Sequence, residues 1–319
     1  MADETPAALI PTSRAAQIAS YSPLLSDPVI EVAQARHRIN LVNTFASISP
    51  LPQTTTSGVR FLEVGCGQGN CTTVLAAAAG PSGSVTALDP APPTYGAPFT
   101  LAGAQAVVSA SEVGPRITWH NATTLDALLL ADTDTDTAAG PATTTRCWDV
   151  AVLAHSAWYF SSPHTLRDTL AALRGRVGAV WLAEYALSAR RRPAAWPHVL
   201  AALARGSLEA HRESGENIQT PLSPPQIRDA AAAAGWGVAG EAVLVPDEGL
   251  LDGRWETGAV VGDGFLADVD AAGIRNERVK AVLRSARDAT IAAMQAVGGV
   301  KKVETMDVWV VVLKERSGQ

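Results

Sequence analysis

One stretch limits the fold more than any other: Val59-Arg60-Phe61-Leu62-Glu63-Val64-Gly65-Cys66-Gly67-Gln68-Gly69-Asn70. A mostly apolar run reads as a buried strand, three alternating glycines as a tight turn, and the segment after Gly69 as a helix. Glycines so placed let the backbone turn sharply and approach a ligand with no side chain between them. A dinucleotide fingerprint needs glycine at position 70, and Asn70 argues against a nicotinamide dehydrogenase. Glu63, inside the approach to the turn, sits badly against a pyrophosphate and well against a cationic ligand. Cys66 reads as a small packing residue, because nothing cationic flanks it to activate a thiolate.

The rest of the chain repeats this alternation. Val59 to Val64, Ser84 to Leu88, Arg116 to His120, Trp148 to Ala154 and Val177 to Ala183 read as strands. Helices are expected near 69–79, 100–112, 124–131 and 163–174. Strands apolar throughout, separated by helices, indicate a parallel sheet covered on both faces. Val238 to Val245 and Met306 to Leu313 bring the strands to seven. The expected fold class is α/β, a Rossmann-like, doubly wound, seven-stranded mixed sheet with added helical cap or lid elements.

Residues 1–57 read as an arm through Pro11 followed by a helical cap: Asp27-Pro28 starts a helix with Val29, Val32, Ile39, Val42 and Ala46 at helical spacing. Pro50 to Gly58 is a connector. Residues 58–319 then form the main domain, with helical insertions at about 190–235 and 250–300. Those insertions include Pro193 to Arg212, Pro224 to Ala234, and Asn276 to Val297 with a stripe through Val279, Val282, Leu283, Ala286, Thr290 and Ala293. Asp132 to Arg146 has no pattern that buries a face and reads as a surface loop. Arg36-His37-Arg38 reads first as a solvated helical face, and second as a cluster reaching a cofactor carboxylate.

At the end of the second strand stands Asp89, where a carboxylate can accept both hydroxyls of a ribose. At the end of the third, Asn121 offers an amide to an adenine edge, and Ala122 is small enough to let a base lie close. The ligand of such a site is a nucleoside. Glu63-x-Gly65-x-Gly67-x-Gly69, then Asp89, then Asn121-Ala122 resembles the class I S-adenosylmethionine-dependent methyltransferases, over roughly positions 59–185. Thr94 to Leu101 and Leu153 to Phe160 are similar to a group of fungal small-molecule methyltransferases.

The resemblance implies S-adenosyl-L-methionine as cofactor, with Gly65, Cys66, Gly67, Gln68 and Gly69 lining its methionine part, Asp89 its ribose and Asn121 its adenine. It implies methyl transfer to an O or N atom of a small molecule, in secondary metabolism. The alternative is a protein that binds the same cofactor for a non-methylating rearrangement or a regulatory role.

The acceptor belongs beyond the carboxyl ends of the strands, beside the first. The fourth strand ends there in His155-Ser156-Ala157-Trp158-Tyr159. His155, with an imidazole near its working pKa, is the candidate general base, and the competing reading is a binding residue only. Trp158, Tyr159, Glu184 and Tyr185 are candidate substrate contacts, although Glu184 also reads as the partner of one of Arg190, Arg191 and Arg192. Asn217 is a polar candidate on a loop over the pocket.

Composition excludes other classes. With 25 Lys plus Arg against 31 Asp plus Glu, the net charge of −6 offers no basic field for nucleic acid. Protein acceptors and the oligomeric state stay open. Three cysteines without metal-type spacing predict neither a disulfide framework nor a metal site. No apolar run approaches the roughly 20 residues of a membrane span. The chain reads as a cytoplasmic protein with no membrane partner.

Overall fold

The structure, a computed structural model, describes residues 9–25, 28–51, 58–128 and 146–316. Asp27, most of the Pro50 to Gly58 connector, the end of the 124–131 helix and nearly all of the Asp132 to Arg146 loop lie outside the described residues. Seven strands form one sheet: β1 (Arg60–Val64), β2 (Ser84–Leu88), β3 (Ile117–His120), β4 (Trp148–Ala154), β5 (Val177–Tyr185), β6 (Trp236–Leu244) and β7 (Val308–Glu315). Their order is β3-β2-β1-β4-β5-β7-β6. The first five are parallel, and β7 runs antiparallel between β5 and β6.

The chain leaves β1 toward β2 on one side and later returns to β4 on the other. The reversal opens a crevice at the carboxyl ends of β1 and β4, where open α/β sheets bind ligands. The apolar composition of β1, β4 and β5 follows from burial on both faces, since helices cover both sides of the sheet.

The helices are α1 (Ala15–Ala19), α2 (Val29–Ile48), α3 (Asn70–Ala78), α4 (Leu101–Ser109), α5 (Pro163–Ala172), α6 (Trp196–Glu209), α7 (Pro224–Ala233), α8 (Asp252–Val261), α9 (Asp263–Ala271) and α10 (Glu277–Ala296). One face of the sheet packs against α1, α2 and α3 in a core that joins Ile39, Val42 and Phe45 to Phe61, Val74 and Trp181. Phe45 stacks on Trp181 with ring centroids 5.1 Å apart. The other face packs against α5 and α7 through Leu166, Leu170, Ile227 and Ala231. The helix from Pro224, grouped in sequence with the cap, therefore covers the sheet. Helices α6, α8, α9 and α10 share a third, smaller core of Ala204, Leu208, Val260, Phe265, Val269 and Leu283.

Two expectations near the N-terminus need correction. The arm through Pro11 is anchored where it is described: Ile10 is buried, and its backbone N–H and C=O both bond the Asn43 side chain. Within Arg36-His37-Arg38 only Arg36 is exposed, while His37 and Arg38 are buried at 2% and 9% exposure. Buried Ala35, Ile39 and Val42 surround them on one helical stripe, so these polar residues lie where α2 faces the sheet. At the other end of the chain, Val282 of the α10 stripe is exposed.

Candidate active site

Each glycine of the turn is left-handed, with φ of 75° at Gly65, 52° at Gly67 and 96° at Gly69. A Cβ on Gly65 would stand 2.5 Å from the Ser156 Cβ, and one on Gly69 would stand 2.9 Å from the Trp119 ring. At Gly67 an added Cβ meets nothing within 4 Å, so this backbone faces open space. The turn is tied to the second strand: the amides of Gly65 and Cys66 both donate to the Leu88 carbonyl. Cys66 is buried, and desolvation first, then Glu63 and Asp89, push its thiol far above the ordinary range. It packs and does not react.

Asp89 receives the Gly67 amide on Oδ2 at 2.8 Å and the Ala91 amide on Oδ1 at 2.9 Å. These bonds aim its carboxylate across the glycine turn. Gln68 donates to the Phe99 carbonyl, and Gln105 donates to the Gly67 carbonyl at 3.0 Å, which tethers the turn to the segment entering α4. Asn121 spends its amide nitrogen on the carbonyls of Asp89 (2.9 Å) and Ala91 (2.6 Å), leaving its oxygen for a ligand. Ala122 follows it, half-buried.

Glu63 lies beneath the turn at 2% exposure and accepts the Thr72 hydroxyl at 2.5 Å. Burial pushes its carboxyl up to about 8, against the pull of Thr72 and Arg38. The open cradle at Gly67, the ribose-height carboxylate of Asp89 and the buried guanidinium of Arg38 fit a nucleoside bearing an amino-acid tail. The turn, Asp89 and Asn121, expected from sequence to meet the methionine part, the ribose and the base, are joined in one hydrogen-bond network.

The other half of the crevice is made of side chains. His155 holds φ of 58°, a left-handed conformation unusual for a residue with a Cβ. Bonds on either side impose it: the His155 amide donates to the Ala183 carbonyl, and the Ser156 hydroxyl donates to the Val64 carbonyl at 2.7 Å. The imidazole is thereby set one residue from the wall of the glycine turn. Its Nε2 lies 2.9 Å from His37 Nε2, and its Nδ1 lies 3.4 Å from Glu184 Oε1. Burial depresses both imidazoles and Arg38 adds to the effect, while Glu184 pulls His155 the other way.

Glu184 does not pair with the arginines that follow it. It is 1% exposed and accepts the backbone amides of Trp158 and Tyr185, with His155 as its third neighbour. Trp158 is equally buried: its indole donates to the Leu222 carbonyl at 2.9 Å, and its ring lies behind Tyr185. Tyr185 lies between His155, 4.4 Å away centroid to centroid, and His198 of α6 at 5.0 Å. His198 Nδ1 accepts the Met306 amide, and burial lowers its pKa to about 4. Tyr159 is the open member, 51% exposed; desolvation first, then the charges of Glu256, Asp252 and Glu184, raise its pKa.

Over this crevice Tyr95 donates to the Asn217 side chain at 2.6 Å, joining two loops. Arg205 of α6 bridges Glu216 at 2.6 Å and Glu256 at 3.3 Å. Sequence reasoning misses His198 and Asp252, and it reaches His37 and Arg38 only as the lesser reading of the basic run. Arg38 carries the one signal that points to it, a cation in the apolar stripe of an amphipathic helix.

No family model matches the chain. It is 30% identical to methyltransferase phomM of Diaporthe leptostromiformis, over 87% of this chain and 83% of that one. Methyltransferase phomM' of the same organism matches to the same extent. Among solved structures, a cyclopropane-fatty-acyl-phospholipid synthase-like protein from Lactobacillus casei superposes with a TM-score of 0.74 at 26% identity, covering 95% of this chain and all of that one. No helix among the described residues is long and apolar enough to cross a membrane. Glycine turn, placed carboxylate, sheet order and relatives agree: the chain belongs to the class I S-adenosylmethionine-dependent methyltransferases, with S-adenosylmethionine as its cofactor.

Proposed function

We propose that the enzyme methylates an oxygen or nitrogen of a small molecule, in secondary metabolism, with His155 as the base. The observation that carries this reading is the His37–His155 contact, 2.9 Å between the two Nε2 atoms, set next to the glycine turn and backed by the Glu184 carboxylate. When bound, the sulfonium supplies the methyl group and a thioether leaving group. The protein then has to align the acceptor, exclude water and take one proton.

Glu184 favours a proton on His155 Nδ1, so His155 Nε2 accepts the His37 Nε2–H and the free basic nitrogen of the pair is His37 Nδ1. The acceptor's proton passes to His37 Nδ1 as the His37 Nε2 proton passes to His155 Nε2, so His155 is the final base and the positive charge settles beside Glu184. Tyr159 and Tyr185 form the acceptor wall, with Glu184 acting through His155, Trp158 supporting Tyr185 from behind, and Tyr95 and Asn217 closing the entrance. Glu63, Gly65, Cys66, Gln68, Gly69, Asn121 and Ala122 shape or support the cofactor side.

The test is incubation of the purified enzyme with labelled S-adenosylmethionine and panels of phenols, alcohols and amines, with methylated product read by mass. Transfer to one class identifies the acceptor atom; no transfer to any hydroxyl or amine overturns the reading. A second reading comes from the Lactobacillus casei neighbour, a protein likened to a cyclopropane-fatty-acyl-phospholipid synthase. It is methyl delivery to an alkene carbon, and an unsaturated phospholipid in the same panel distinguishes it.

A further inference from the structure

Arg38 is a buried cation without a counter-charge among the described residues. It is 9% exposed, its Nη1 has no hydrogen-bond partner, and no carboxylate among the described residues makes an ion pair with it. A guanidinium carries five donors, and leaving those of one buried nitrogen unmet is costly. Nor is the side chain caught at the edge of a helix. It occupies the core-facing stripe of α2 beside Ala35, Ile39 and Val42, where an apolar residue would pack without that cost.

Its neighbours show where it stands. The charge of Arg38 acts on Glu63 at the end of β1, on Cys71 at the start of α3, on His155 after β4 and on Tyr185 at the end of β5. These residues stand at the ends of β1, β4 and β5 and at the start of α3, around the glycine turn. Glu63 of β1 makes no ion pair with it: that carboxyl accepts the Thr72 hydroxyl, and burial raises its pKa to about 8.

S-adenosylmethionine carries one anionic group, the carboxylate at the end of its methionine part. We infer that Arg38 receives this carboxylate, and that α2 thereby closes the cofactor site from outside the sheet domain. The assignment concerns the cofactor and is independent of which acceptor is methylated. A planar guanidinium matches a carboxylate with two parallel N–H···O bonds, which a lysine ammonium cannot reproduce.

The experiment is calorimetric titration of the full chain with two ligands that differ only in this group, S-adenosylmethionine and decarboxylated S-adenosylmethionine. The wild-type protein is expected to bind the first about 10- to 100-fold more tightly. Arg38→Gln should bind both equally, at the wild-type affinity for the decarboxylated ligand, and Arg38→Lys should recover part of the preference. Affinity for the decarboxylated ligand also reports that the variant pocket is intact. Equal affinities in the wild-type protein overturn the inference without any variant. So does an Arg38→Gln protein that keeps the preference, or that weakens both ligands by the same factor.

Discussion

The β1–β3 side of the crevice is built of backbone and two fixed polar side chains, Asp89 and Asn121, while the β4–β5 side is built of titratable side chains, two of them brought in by α2 and α6. Three left-handed glycines and two backbone amides on Asp89 make the first half. His37, His155, Glu184, Tyr185 and His198 make the second, all nearly sealed from solvent. The difference matches the two tasks. A ligand of fixed shape is best held by groups already bonded in place, as the turn and Asp89 are. The proposed proton handling needs groups that can change charge, and here buried imidazoles stand against one carboxylate.

The largest effect should come from filling the backbone half. Gly67→Val places a Cβ where nothing lies within 4 Å, so cofactor affinity should fall by about 100-fold or more, with a smaller loss of stability from the left-handed φ of 52°. Gly65→Val adds a collision with Ser156, so it should lose binding and also stability. Calorimetry with S-adenosylhomocysteine and thermal melts separate the two. Tight binding by Gly67→Val would mean that the cradle is not where the cofactor lies.

In the side-chain half, His155→Ala should lower turnover by about 100-fold or more and leave cofactor affinity within about twofold. The reverse pattern, lost affinity with turnover kept at saturation, would make His155 a cofactor contact and merge the two halves. A smaller effect is expected at the ribose contact. Asp89→Ala removes an acceptor that also orders the turn, and cofactor binding should weaken by ~1.5–3 kcal/mol. Unchanged affinity in a folded variant would remove Asp89 from the site.

The same division explains what can be read from the chain itself. Strands β2 and β4 are legible to the residue because buried parallel strands are apolar runs bounded by turn residues. The glycine turn is legible because alternating left-handed positions admit little else. Asp89 and Asn121 follow at the ends of successive strands, so the cofactor half is local in sequence. The acceptor half is assembled from residues as distant as His37 and His155, and nothing in a helix sequence says that a histidine of α2 will meet a histidine after β4. Arg36-His37-Arg38 resembles a solvated run when charge is weighed above position. Only the spacing of Ala35, Arg38, Ile39 and Val42 tells otherwise. Glu184 has three arginines close behind it in sequence, and the sharp turn at His155 gives it a different neighbour.

Glu63 is where the halves meet, and it offers the finest test of the comparison. It belongs to the glycine motif, yet it is buried like the residues of the acceptor half, and its carboxyl stands near 8 against an ordinary 4.5. Because the folded protein binds this proton more tightly than the unfolded chain, the stability it contributes is complete below about pH 4.5. That contribution declines as pH rises and is gone above about 8. Glu63→Gln keeps a neutral partner for Thr72 and removes the titration. Melting temperatures measured from pH 5 to 9 should therefore fall less steeply in the variant, by a difference on the order of 5 °C at the alkaline end. Cofactor affinity near neutral pH should change little, since the wild-type side chain is already largely protonated there. Parallel melting profiles would show Glu63 to be ionised in the fold and paired with Arg38. The arginine would then be occupied from within the protein, and the carboxylate of the cofactor would have to find another partner.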